Sequence, residues 1–145
     1  MRRRDFIKAI GGAVVWPLAA RAQQAGGMRF IGVLNSRAPD DPDMQARIAA
    51  LQQGLQRLDW TDGRNVNIEY RWGAGDADLI RRHATDLVAL APDVIIANSA
   101  ATVGPLLQAT RTVPIVFVSV IDPVGSGFVD SLARPGGNAT GFTLF

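Results

Sequence analysis

Apolar positions follow two rhythms along this chain. Residues 30–34 (FIGVL), 94–97 (VIIA) and 115–118 (IVFV) are runs without a polar interruption, as expected of parallel strands covered on both faces. Over residues 66–72, Val66, Ile68, Tyr70 and Trp72 alternate with Asn67, Glu69 and Arg71, the period of a half-exposed strand, which places this segment at a sheet edge. The stretches between them change to helical spacing. Met44, Ile48, Leu51, Leu55 and Leu58 follow one another at steps of four and three, predicting a helix over residues 43–58. Leu79, Ile80, His83, Leu87 and Val88 mark a second helix ending near residue 90, and Val103, Leu106 and Leu107 a third that opens after Ser99. Asp122-Pro123 has the form of a helix start, with aspartate as cap and proline at the first position; a short helix is predicted over residues 128–132. Residues 134–138 (RPGGN) read as a reverse turn, and residues 140–145 as a fifth strand.

This alternation of strand and helix predicts an α/β fold: an open parallel sheet with helices on both faces, right-handed crossovers, and a strand order of about 2-1-3-4-5. In such sheets ligands bind in the crevice beyond the carboxyl ends of the strands. There the predicted strands give way to small polar residues. Asn35 and Ser36 follow the first, Asn98 and Ser99 the third with Thr102 beyond, and Ser119 and Asp122 the fourth. The candidate ligand-binding set is therefore Ser36, Asn98, Ser99, Thr102, Ser119 and Asp122. Ser99 opens a helix whose free N–H groups and dipole favour an anion such as a carboxylate. The plainer alternative is that Ser99 and Asp122 only cap helices.

Several chemistries lack their residues. The chain has no cysteine, which removes thiolate nucleophiles and thiolate metal sites. No serine sits in a Gly-x-Ser-x-Gly turn. His83, the sole histidine, falls among apolar helical positions and reads as a packing or surface residue. Gly73-Ala74-Gly75 follows an edge strand and has too few glycines for a dinucleotide loop. No catalytic residue, metal or cofactor is assigned, and an enzyme is not expected. An exported α/β enzyme or ligand-sensing lobe using the same crevice is the alternative reading; loss of a chemical activity on changing Asp122 or Ser99 to alanine would favour it.

The N-terminus sets a compartment. Arg2, Arg3, Arg4 and Lys8 form a basic head, and residues 9–20 an apolar run broken by Gly11, Gly12 and Pro17. That run of about 12 residues is short of the ~20 needed to span a bilayer. Ala20-Arg21-Ala22 supplies a small-x-small cleavage pattern, so cleavage is expected after Ala22. Arg3, Arg4, Phe6, Ile7 and Lys8 resemble a twin-arginine export signal, with Arg2 where serine or threonine is usual; such a signal is an address and not a lasting anchor. The whole chain carries 15 basic and 13 acidic residues, net +2; removing the leader's five basic residues and Asp5 leaves 10 and 12, net −2. The basic balance therefore belongs to the leader, and neither nucleic acid nor an anionic membrane surface is indicated as a partner.

GVLNS, LQRLDWTDGRNVNIEYRWGAGDADLIRR, LVALAPDVIIA and above all VPIVFVSVIDPVGSGFVDSLARPGGNATGFT resemble the bacterial ABC transporter substrate-binding protein family, whose members have the periplasmic binding protein type 1 fold and carry export signals of this kind. The resemblance covers residues 30–145. It implies a solute-binding component of an uptake system, located in the periplasm. It also implies a small amino-acid-like solute, aromatic in the better-studied relatives, and a membrane ABC permease as partner. The family's ligand-contacting loops match Ser36 in GVLNS, Ser99 and Thr102 in ANSAAT, and Ser119 and Asp122 in SVIDP. Asn98-Ser99 stands where a Gly-Thr type pair is commoner. The domain reading is a signal peptide over residues 1–22, a leader over 23–29, and an N-terminal lobe over 30–145 with the second lobe missing. A lone lobe is expected to bind solute weakly or not at all.

Overall fold

The computed structural model describes residues 27–144; the leader, its twin-arginine motif and its cleavage site lie outside the described residues. Five strands alternate with three helices: β1 (Arg29–Asn35), α1 (Pro42–Arg57), β2 (Val66–Trp72), α2 (Ala77–Ala89), β3 (Val94–Asn98), α3 (Ala100–Ala109), β4 (Ile115–Val120) and β5 (Ala139–Thr143). They form one parallel sheet in the order β2-β1-β3-β4-β5, the arrangement read from the sequence, with the alternating strand β2 at an edge.

Local chemistry sets the helix ends. Asp41 precedes Pro42, and its Oδ1 accepts the Met44 N–H at 3.0 Å, satisfying one of the donors that a first helical turn leaves free. Asp76 does the same for α2, accepting from the N–H groups of Asp78 at 2.9 Å and Leu79 at 3.1 Å. Each of these helices is followed by a residue in the left-handed region, Asp59 at φ 64° after α1 and Ala91 at φ 53° after α2, which turns the chain back toward the sheet.

Strand alternation divides the core between two faces. Leu34, Ile95, Ala97, Ile115 and Phe117 meet Ile80, Ala84 and Leu87 of α2 and Val103 and Leu106 of α3 on one face. Ile31, Val33, Val66 and Ile68 meet Leu51 and Leu55 of α1 on the other. The first face is thus covered by two helices. The second has one, lying over β1 and β2, while Val116, Val118 and Phe142 further along the sheet keep partial or full exposure.

Two details near the carboxyl end of β4 depart from a regular strand. Ser119 takes φ 61°, and the β4–β5 register shifts between Phe117 and Val120. This irregularity returns Val120 to the two-helix core, where it is 1% exposed, and leaves Ser119 at the opposite face. The helix expected over residues 128–132 does not form: turns and bends occupy residues 121–138. Val129 and Phe128 still pack on the core from this irregular segment, so burial alone accounts for the apolar residues that suggested a helix. With glycines at 125 and 127, a helix of five residues would gain too few hydrogen bonds to offset its nucleation cost.

Candidate functional site

The carboxyl ends of β1, β3 and β4 bring the predicted polar residues to one end of the sheet. Beside them, between α1 and the sparsely covered face, lies a cleft of about 350 Å³. Its walls are apolar: Val33, Ile96 and Val118 from the sheet, Ile48 and Leu51 from α1, and Leu144 beyond β5. At its polar end stand Asn35, Asn98, Arg47 and Ser119.

The hydrogen bonding there is incomplete. Asn35 is 1% exposed, and its Nδ2 has no partner. Asn98 is 6% exposed and directs its Nδ2 to Met44 Sδ at 2.7 Å, a weak acceptor. Arg47 Nη1 donates to Ser119 Oγ at 2.5 Å, spanning from α1 to the end of β4. No carboxylate lies within ion-pairing distance of Arg47 among the described residues. An unpaired buried amide costs about 1–3 kcal/mol.

The rim is built around Ser99. Its backbone sits at φ 85°, ψ 159°, and its side chain makes no capping bond to α3. The Ser99 hydroxyl instead donates to Ser36 Oγ at 3.1 Å, joining the loops after β1 and β3. The Ser99 carbonyl accepts from the Thr102 N–H at 3.2 Å and from Thr102 Oγ1 at 3.0 Å. The loop after β1 is held from behind, since Asn35 O accepts from Gly73 N and Ser36 O from Gly75 N, both at 2.8 Å.

The six predicted site residues thus occupy different positions. Asn98 and Ser119 line the cleft, and Ser36 and Ser99 form a bonded pair on the rim. Thr102 is fully buried, with its hydroxyl turned to the Ser99 carbonyl, where it braces the start of α3. Asp122 is exposed and caps no helix; its Oδ1 accepts the Gly125 N–H at 2.8 Å and so shapes the loop after β4. The residues that sequence reasoning left out of the set are Asn35 and Arg47. Arg47 lies three positions after Met44 and four before Leu51, so a cation within the apolar stripe of α1 was the signal that pointed to it. His83 lies on α2, away from the cleft, with a buried Nδ1 that has no partner. Among the described residues no group of three metal-ligating side chains converges, and no helix is long and apolar enough to cross a membrane.

Comparison with known proteins agrees with this architecture. The family model for ABC transporter substrate binding proteins matches residues 37–143. A tyrosine-binding protein of Clostridioides difficile is 29% identical over 106 residues, covering 73% of this chain and 31% of its own length. The crystal structure of an ABC domain in complex with L-Trp from Streptococcus pneumoniae superposes with a TM-score of 0.75 at 27% identity, covering 81% of this chain and 39% of that one. The ligand-free, open structure of a substrate binding protein with adhesive properties from Clostridium difficile gives a TM-score of 0.76 at 26% identity, covering 81% and 39% of the two chains. The present chain therefore spans about a third of the length of the curated relative it matches. With the match extending from the loop after β1 to the end of β5, the chain belongs to the ABC transporter substrate-binding protein family.

Proposed function

We propose that this chain is a solute-binding component of a bacterial ABC uptake system, exported to the periplasm by its twin-arginine-like leader, and that its ligand is an amino-acid-like small molecule delivered to a membrane permease. The observation that carries this reading is the cleft at the carboxyl end of a sheet of this family, with apolar walls and a polar end formed by Asn35, Asn98, Arg47 and Ser119. Two relatives support the solute class: one is named for binding tyrosine, and one was crystallised with L-Trp. Asn98 and Ser119 contact the ligand directly in this reading, and Ser36 and Ser99 do so from the rim. Thr102 and Asp122 set the shape of the loops. Enclosing a ligand normally buries roughly 70–90% of its surface, whereas this cleft is open on one side. The lobe formed by residues 30–145 accordingly supplies one wall of a two-lobed site, and binding by this wall alone is weak.

Calorimetric or NMR titration of the purified chain with a panel of amino acids tests the proposal. A saturable response selective for aromatic or apolar amino acids supports it. Because binding by this wall alone is weak, the panel is titrated up to millimolar concentrations, and a response to none of it there, with the chain demonstrably folded, rejects the proposal. An enzymatic alternative predicts turnover of a bound compound, which the same titration would reveal as a changing ligand spectrum.

A further inference from the structure

The second face of the sheet is unevenly covered. Among the described residues α1 is its one helix, lying over β1 and β2, and beyond it Val116, Val118 and Phe142 keep partial or full exposure. A helix is about 10 Å wide, whereas five strands at about 4.8 Å spacing are about 19 Å across. One strip of helix width therefore stays open along β4 and β5, and Leu144, 49% exposed, extends it into the cleft. Phe142 is 72% exposed. A contiguous apolar surface of this kind marks a docking site, and the chain carries a segment that matches it.

Residues 9–20 (AIGGAVVWPLAA) hold no charged residue and include Val14, Val15, Trp16 and Leu18. Residues 21–28 tether them to the start of β1, a reach of up to about 26 Å. In the parallel sheet β4 lies two strands from β1, about 10 Å across, with its amino end on the same side. Residues 9–20 cover about 18 Å as a helix, close to the length of about 20 Å for the six residues of β4. Running from the amino end, they bring Arg2, Arg3, Arg4 and Lys8 to the carboxyl end of the sheet. Asp40 and Asp122 are exposed there without an ion pair among the described residues, and Asp41 and Asp43 share Arg37.

From this match of polarity, length and charge we propose that residues 9–20 of the uncleaved chain lie along β4 on the open face, with the basic head against the acidic loops. A short tether holds the segment at an effective concentration on the order of millimolar, so it outcompetes a second copy of the chain for the same face. Docked there, it covers Val118 at the edge of the cleft and competes with a solute. Cleavage after Ala22 ends the competition. The docking needs only the apolar face and does not rest on the solute-binding reading.

The test uses the full chain labelled with fluorotryptophan. Trp16, Trp60 and Trp72 are its only tryptophans and give one fluorine NMR resonance each; Trp16→Phe assigns the first. Because the chain has no cysteine, a nitroxide can be placed singly at either of two introduced positions. Ala50→Cys puts it on α1 beside the cleft, and Arg82→Cys on α2 over the opposite face; both residues are exposed. The label at residue 50 should broaden the Trp16 resonance severalfold more than the label at residue 82, and dilution should leave the difference unchanged. Val15→Asp should abolish the broadening while Trp60 and Trp72 keep their shifts, which shows the sheet still folded. Equal broadening from both labels, none from either, or broadening that survives Val15→Asp overturns the inference. Broadening that appears only between nitroxide-labelled and fluorinated copies mixed in one sample assigns the face to a second copy and overturns it too. Each of these outcomes leaves the solute-binding proposal standing, since titration with amino acids tests that separately.

Discussion

The Ser99 hydroxyl reaches Ser36 Oγ at 3.1 Å from a backbone at φ 85°, ψ 159°, a region that glycine occupies far more readily than serine. The same conformation that costs the backbone energy turns the side chain away from the α3 N–H groups and across to the loop after β1. Two strand ends are thereby joined beside the cleft.

This geometry separates two effects that one substitution would blend. Ser99→Ala removes the hydroxyl bond and keeps the strained backbone, whereas Ser99→Gly removes both. Relief of such strain is worth about 1–3 kcal/mol, more than the usual penalty for glycine over alanine. The glycine variant should therefore be the more stable of the two by about 1 kcal/mol or more. Urea unfolding of the pair checks this, and an alanine variant as stable as the glycine one would show that the backbone at this position is unstrained.

Glycine positions allow a second test in which one substitution acts with opposite sign at two sites. A Cβ at Gly141 would stand 2.0 Å from the Phe117 carbonyl oxygen and 2.6 Å from its ring, and the backbone of a paired strand cannot yield. Gly141→Ala should cost about 1–3 kcal/mol or more, in the range of overpacked cores. At Gly54, inside α1, nothing lies within 4 Å of the added methyl. Gly54→Ala should stabilise by about 0.5–1 kcal/mol through helix propensity. Denaturant midpoints moving in the same direction for both would contradict this account of the β4–β5 contact.

Much of this architecture was legible before the structure, and the residues explain why. The apolar stripe of α1 and the alternation of β2 are periodic over many positions, so each residue repeats the same statement about the fold. The caps at Asp41 and Asp76 follow a local rule acting through adjacent atoms. The segment after β4 failed that reading because Phe128 and Val129 are buried by tertiary contact with the core and not by any helical period. Ser99 looked like an ordinary cap, but its backbone takes φ 85° and its side chain makes no capping bond, which no dipeptide reveals. Asn35 and Arg47 line one cleft only because α1 packs beside the strands, a relation between residues far apart in sequence that becomes visible once the helix is docked.

The start of α1 carries an acid-sensitive contribution. Asp41 accepts from the Met44 N–H and, through Oδ2, from Arg37 Nη1 at 3.1 Å; the backbone bond first and the arginine second hold its carboxyl below the ordinary value of 3.8. A carboxyl with a lowered folded value contributes stability that is present above 3.8 and is lost as pH falls through the folded value. Asp41→Asn keeps an acceptor for the cap without the charge. Its stability deficit relative to the parent chain should be steady at neutral pH and shrink toward zero in acid, as measured by urea midpoints at a series of pH values. A deficit independent of pH would show that the charge contributes nothing.

At the alkaline end the corresponding group is Tyr70 on the edge strand β2. Gln52 Nε2 of α1 donates to its phenolic oxygen at 3.1 Å, and its ring stacks on Trp72 with centroids 6.4 Å apart. Partial burial raises its ionisation above the ordinary value of 10.0, the Gln52 hydrogen bond opposes that rise, and the charge of Asp62 adds to it. A raised folded value means that the neutral phenol contributes stability that is fully present below 10.0 and is lost as pH rises through the folded value. Because Tyr70 is the only tyrosine in the chain, ultraviolet difference absorbance titrates it without overlap from another phenol. Its midpoint in the folded chain should lie above that in denaturant, and Tyr70→Phe should remove the matching loss of stability in alkali. Coincident midpoints in the two states would mean that α1 does not shield the edge of the sheet at β2.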